Sequence, residues 1–156
     1  MKEIPLTQGK VALVDDEDFD YINQWKWYCQ KSHGLSFYAI RNSEGGIRMM
    51  HRLIMNASVN IYIDHKDMDG LNNCRDNLRF ATLSQNQHNR GKLRNNTSGF
   101  KCVSYNKQKG KWEAYIEYNN KKYHLGLYEI IELAALAYNE AALKYHGEFA
   151  RLNVIP

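Results

Sequence analysis

At 156 residues the chain has room for one domain or two small ones, and a hydrophobic content of 44% is ordinary for a globular protein. Its formal charge of +4 is unevenly spread: residues 75–122 hold eleven Lys/Arg against three acids, and residues 90–111 hold seven basic residues and no acid. Nothing approaches the roughly 18-residue apolar run of a membrane span, and Met1-Lys2-Glu3-Ile4-Pro5 opens no signal-peptide core.

These features exclude the secreted, disulfide-stapled and membrane-spanning classes as expectations and point to a cytoplasmic protein. The three cysteines, Cys29, Cys74 and Cys102, are scattered, odd in number and without a CxxC pair, so reduced thiols are the default. The sequons at Asn56 and Asn96 are then chance matches. A basic run interleaved with Tyr105, Trp112 and Tyr115 is the footprint of a nucleic-acid partner.

In chain order, residues 1–46 read as an α+β segment. Lys10 to Val14 forms a strand, and Asp15-Asp16-Glu17-Asp18 opens a helix through Tyr21, Ile22 and Trp25, because carboxylates favour a helix N-terminus. The acidic cluster caps that helix and stays solvated. Trp27-Tyr28 and Phe37 to Arg41 are strand-like, Gly45-Gly46 turns the chain into Ile47 to Met50, and Leu53, Ile54 and Ala57 mark a short helix beginning near His51.

Ile61-Tyr62-Ile63 is a β-branched and aromatic run that delivers Asp64-His65 into the turn Lys66-Asp67-Met68-Asp69-Gly70. Leu78 to Thr82 is the return strand, and Ser84 to Gln87 fits a capping box for a helix over about 85–90, ended by Gly91. Asn86 then lies in the first helical turn, near the base of the hairpin. Asp64 and Asn86 offer hard oxygen ligands suited to magnesium or manganese, while His65 can take a proton from water. A calcium loop is the competing pattern, with Asp67, Asp69, Gly70 and Asp76 at its third, fifth, sixth and twelfth positions counted from His65. Histidine at the first position, Asp at the twelfth and a strand where a helix should enter all tell against it.

The span Gly91 to Gly99 is polar, basic and bounded by glycine, the best linker in the chain. Beyond it, Phe100 to Ser104, Trp112 to Tyr118 and Lys122 to Leu127 are strand-like, with Asn119-Asn120 as a tight hairpin turn. Ile130, Ile131, Ala134, Ala137, Tyr138, Ala141 and Tyr145 recur with helical period as far as Gly147. The predicted unit is a three-stranded antiparallel sheet covered by one helix.

Two resemblances follow. His51-Arg52-Leu53-Ile54, Asp64 to Gly70, Asn72-Asn73, Asp76-Asn77-Leu78-Arg79 and Ser84-Gln85-Asn86 resemble an HNH homing-type endonuclease of the phage and intron kind. That resemblance implies a ββα-metal module with His65 as general base and Asp64 and Asn86 as ligands of one divalent cation, Mg or Mn. It makes Asn77 the tether of the loop. Asn86 stands where the family often has His, and His88, two residues on, is the other candidate for that place. No CxxC pair accompanies the module, so no zinc is expected.

Ser98 to Ser104, Gly110 to Ile116, His124 to Tyr128 and Ala134 to Ala142 resemble an Apetala-two type DNA-binding domain. This second resemblance implies a sheet laid in the DNA major groove. It puts Lys101, Ser104, Asn106, Lys111, Tyr115, Glu117, Lys122 and His124 on the DNA side. Apart from the resemblance, the basic residues of the linker region, Arg90, Lys92 and Arg94, are expected to track the DNA backbone. The family's strand arginines are absent here.

The full expectation is an α+β chain divided into a preceding segment (1–46), a nuclease module (47–92), a basic linker (93–98) and a DNA-binding domain (99–154). It cuts duplex DNA, most naturally as a nickase if monomeric and with double-strand breaks from a homodimer. A DNA-binding regulator with an inactive HNH scaffold is the alternative, and an RNA-binding module is a third reading.

Overall fold

The computed structural model describes residues 1–32 and 36–156, which divide into two compact units, Met1–Asn86 and Gln87–Pro156. The architecture is mixed α/β, built from small antiparallel sheets and short helices.

In the first unit β1 (Lys2–Pro5), which the sequence pattern does not signal because it is four residues long and ends at Pro5, pairs antiparallel with the expected strand β2 (Val11–Val14). Helix α1 (Asp16–Ile22) follows, then the meander β3 (Tyr28–Lys31), β4 (Phe37–Ser43) and β5 (Gly46–Met49). After α2 (Met50–Ile54) the chain makes the hairpin β6 (Tyr62–His65) and β7 (Leu78–Ala81), and α3 (Leu83–His88) begins two residues later. Ile4, Ala12, Val14, Ile22, Trp27 and Ala39 share one core with Met50, Ile54, Ile63 and Leu78. Residues 1–46, to which the sequence assigned no role, therefore supply six of these eight buried side chains outside the β6–β7 hairpin.

Two local expectations change. The capping box lies at Thr82 and Gln85, not at Ser84 and Gln87. The Gln85 amide donates to Thr82 Oγ1 at 3.2 Å, and the Thr82 amide donates to Gln85 Oε1 at 2.8 Å. Both four-residue windows satisfy the motif, and the helix takes the first hydroxyl available after the strand. The acidic cluster does more than cap α1: Asp18 is buried and receives Arg75 through Nε at 2.8 Å and Nη2 at 2.7 Å, while Asp15 Oδ2 accepts the Arg75 amide at 2.7 Å. The cluster is where the long β6–β7 connection is pinned to the N-terminal segment.

In the second unit β8 (Val103–Asn106), β9 (Lys111–Tyr118) and β10 (Lys121–Tyr128) form one antiparallel sheet, with β9 central. The strand expected from Phe100 begins three residues later, since Cys102 takes a positive φ of 57° and Ser98 Oγ donates to the carbonyls of Phe100 and Val103. Asn119 and Asn120 both sit at positive φ, the geometry of a two-residue turn whose twist matches the strands. Helix α4 (Ile131–His146) lays Ala134, Ala135, Tyr138, Ala141 and Ala142 against Val103, Ala114 and Ile116. Alanines along this stripe bring the helix backbone close to the sheet, leaving room for the single large ring of Tyr138.

Candidate active site and nucleic-acid interface

Strand β6 ends at Asp64 and His65, both buried, paired in register with Arg79 and Leu78 of β7. Arg79 anchors the Asp64 carboxylate, donating to Oδ2 from Nε at 2.8 Å and from Nη2 at 2.6 Å. The His65 ring packs edge-on to His51 with centroids 5.0 Å apart and lies 5.9 Å from Tyr38, which is itself 5.7 Å from His51. Three rings from β4, α2 and β6 thus enclose the end of the strand.

Burial holds the His65 imidazole below the ordinary histidine value, a hydrogen bond with Asn73 and the carboxylates of Asp67, Asp64 and Asp69 opposing it in part. His51 is driven down to about 3, by burial first and then by the charge that His65 carries when protonated and by Arg52. Its Nδ1 is buried without a hydrogen-bond partner among the described residues. A neutral His65 has a lone pair to offer, which a protonated one lacks.

The loop after His65 is closed by its own carboxylates and by Asn77. Asp67 Oδ1 accepts the Asp69 amide at 2.8 Å and Asn77 Nδ2 at 2.9 Å, while Asn77 Oδ1 accepts the Asp67 amide at 3.1 Å. Asn77 Nδ2 also donates to the Asn72 carbonyl at 2.8 Å, and Asn72 Nδ2 donates to Asp67 Oδ2 at 2.8 Å. Asp67 and Asp69 therefore serve as loop fasteners.

Gly70 passes so close to β4 that a Cβ would overlap the Phe37 carbonyl and stand 2.6 Å from the Tyr38 ring. Gly70→Ala should push Tyr38 off the histidine pair and cost about 1–3 kcal/mol as an overpacking change. A thermal melt checks it: an unchanged midpoint would show that the loop accommodates a side chain.

Asn86 is half-buried on α3, and its amide N–H donates to the Thr82 carbonyl at 3.0 Å. Its carboxamide makes no hydrogen bond among the described residues. His88, at the end of α3, lies in the second unit with its ring stacked on His146 at 3.7 Å and 8°.

The sheet of the second unit sorts its residues by alternation. Ala114 and Ile116 face α4, so Lys111, Glu113, Tyr115 and Glu117 face away from it. Cross-strand register adds Ser104 and Asn106 opposite Glu113 and Lys111, and Lys122 and His124 opposite Glu117 and Tyr115. Seven sequence-predicted contact residues thus share one sheet face. Glu113, absent from that set, sits in its midst, 3.3 Å from Asn106 Nδ2 and 3.4 Å from His124 Nε2. Lys122 Nζ lies 3.6 Å over the Tyr115 ring. Lys101 is elsewhere: its ammonium donates to the carbonyls of His88 and Arg90, and burial lowers its pKa to about 8. Lys92 donates to the Gly99 carbonyl at 2.8 Å, and Arg90 and Arg94 are exposed.

Comparison with known proteins decides the family. The chain is 31% identical over 153 residues, 95% of its length and 77% of the relative's, to an uncharacterised HNH endonuclease of Acanthamoeba polyphaga mimivirus. The chain belongs to the HNH endonuclease family. It is also 34% identical over 90 residues to Protein 3.8 of Escherichia phage T7, covering 58% of this chain and 74% of that one. Residues 98–148 match the AP2 domain family. No solved structure matches.

An HNH endonuclease of the kind anticipated from the sequence would use one divalent cation, and the donor set here is of a definite type. Among the described residues no group of three or more His, Cys, Asp or Glu is arranged to hold a metal ion. The residues anticipated as ligands, Asp64 and Asn86, would offer one carboxylate and one carboxamide, a sparse oxygen set. That suits a hard cation that keeps several waters and takes substrate phosphate oxygens as further ligands.

The residues that sequence reasoning left without a role are Arg79, Asn73 and Tyr38. Arg79 was within reach, since pairing Asp64 with the return strand places a basic residue opposite it. Tyr38 lies too far away in sequence for any local pattern to connect it with His65.

Proposed function

We propose that the chain is a metal-dependent DNA endonuclease that nicks duplex DNA. The carrying observation is a buried, neutral-biased His65 beside Asp64 at the end of a β-hairpin whose next element is the helix bearing Asn86. In this reading β6, β7 and α3 are the ββα-metal module. Asp64 and Asn86 hold one Mg or Mn ion, which when bound stabilises the negative charge developing on the scissile phosphate and its leaving oxygen. His65 accepts the proton of the attacking water. Arg79 fixes Asp64 by occupying Oδ2, and Asn77 holds the loop so that the pair cannot drift.

The AP2 domain supplies DNA binding through its exposed sheet face. Ser104, Asn106, Lys111, Tyr115, Glu117, Lys122 and His124 face the groove, while Arg90 and Arg94 add salt-dependent backbone affinity. With two lysines and two glutamates among its charged residues, this face is suited to reading bases more than to holding phosphates. A single site in a monomer leaves one strand cut, and two sites in a homodimer would sever both.

Supercoiled plasmid incubated with the protein and Mg or Mn should give relaxed circles before linear product, and chelation should stop the reaction. One observation favours the rival reading, a DNA-binding regulator with an inactive scaffold: Arg79 already compensates the Asp64 charge. Binding of duplex without any metal-dependent nicking would establish that rival.

A further inference from the structure

We propose that Asn73 is a positioning residue that fixes the tautomer of His65, holding the ring proton on Nε2 and leaving the basic lone pair on Nδ1. The inference rests on the nuclease reading only for the task given to His65; the tautomer itself is a property of this chain alone.

Asn73 is completely buried, which for a carboxamide requires that its oxygen and its nitrogen both find partners. Nδ2 donates to the Leu71 carbonyl at 3.0 Å. The opposite amide orientation would set two oxygens, Oδ1 and the Leu71 carbonyl, against each other, so the orientation is determined. Oδ1 is therefore the atom that faces His65 Nε2, at 3.4 Å. An amide oxygen has no proton to give. The contact is favourable only when Nε2 carries the hydrogen and donates it, and in a neutral imidazole the lone pair then belongs to Nδ1.

The carboxamide has no freedom to follow the ring if it turns. The Asn73 amide donates to the Leu13 carbonyl at 2.8 Å, and the Leu13 amide donates to the Leu71 carbonyl at 2.8 Å. Strand β2 thus grips the loop on both sides of Asn72, with Leu13 and Asn72 forming a parallel bridge. The ring is confined as well, by His51 and Tyr38. This gives residues 1–46 a part in the chemistry: through Leu13 they present the Asn73 oxygen to the catalytic imidazole. Asn77, the family tether, bonds to the loop at Asp67 and Asn72.

The test is ¹⁵N–¹H correlation of the histidine side chains in the full-length protein without metal or DNA, at a pH where His65 is neutral. The wild type should show His65 as the Nε2–H tautomer. Asn73→Ala should give a tautomer mixture and a nicking kcat lowered about 10–100-fold with binding unchanged. A wild-type His65 in the Nδ1–H form overturns the proposal, as does an Asn73→Ala spectrum with the wild-type tautomer. If Asn73→Ala does not fold, the wild type alone still decides, since its Nε2–H form supports the proposal and its Nδ1–H form overturns it. Failure of the nuclease reading would be seen separately, as an inert wild type whose His65 tautomer is nonetheless measured.

Discussion

His65→Ala is expected to lower the rate of metal-dependent plasmid nicking by about 10²–10⁴-fold while leaving duplex affinity within about twofold, the span usual for loss of a general base. The two halves of that result come from different units. The imidazole sits in Met1–Asn86, whereas the sheet face assigned to DNA sits in Gln87–Pro156. Binding should therefore survive the substitution that removes proton transfer. Loss of the ring also removes one packing partner of His51 and of Tyr38, so a thermal melt must accompany the assay, with measurable activity read only on folded protein.

The pH profile sharpens the test, because burial lowers the His65 pKa. The base stays unprotonated below the ordinary histidine value of about 6.5, and the acid limb of the wild-type profile should lie under that value. A His65→Ala protein that nicks at the wild-type rate would remove His65 from the mechanism, and nicking would then have to be assigned to another group.

The parts of this site that could be read from sequence are those whose logic is local. A β-branched run, an Asp-Gly turn, a return strand and a capped helix lie within 28 residues, 61–88, so period and punctuation predict the elements that carry Asp64, His65 and Asn86, and the structure has them at 62–65, 78–81 and 83–88. That seven of the anticipated contact residues share one sheet face was legible because alternation along a strand is a strict two-residue rule, and the register obeys it from Ser104 to His124. What escaped depends on contacts that leave no periodic trace. Leu13 meets Asn72, Asp18 meets Arg75, and Tyr38 meets His65 across separations of 27 residues or more. Charge alone also could not say that the Lys101 ammonium turns to the chain's own carbonyls, because the decisive factor is the placement of His88 and Arg90.

The same burial that suits the histidine pair to its task should make the first unit fragile in acid. Above pH 6.5 His51 is neutral in both folded and unfolded chains. Below it the unfolded chain takes up a proton that the folded one refuses until about pH 3, so stability falls continuously across that window. At 1.36 kcal/mol per pKa unit the loss is on the order of 4–5 kcal/mol, a large share of the roughly 5–15 kcal/mol that holds a typical domain together. His65, also lowered, adds to the slope. His51→Phe keeps a ring against Tyr38 and His65 but cannot titrate, and should shift the acid midpoint of the first unit to lower pH. In a Trp112→Phe background the remaining tryptophans, Trp25 and Trp27, both report on that unit. The second unit serves as the internal control. Its histidines His88, lowered to about 4, and His146 give it an acid sensitivity of their own that His51→Phe should not alter. Equal acid midpoints for wild type and His51→Phe would mean that His51 is hydrated in solution. The three-ring enclosure of His65 would then lose its claim to be dry, and with it the physical reason for a neutral-biased base at that position.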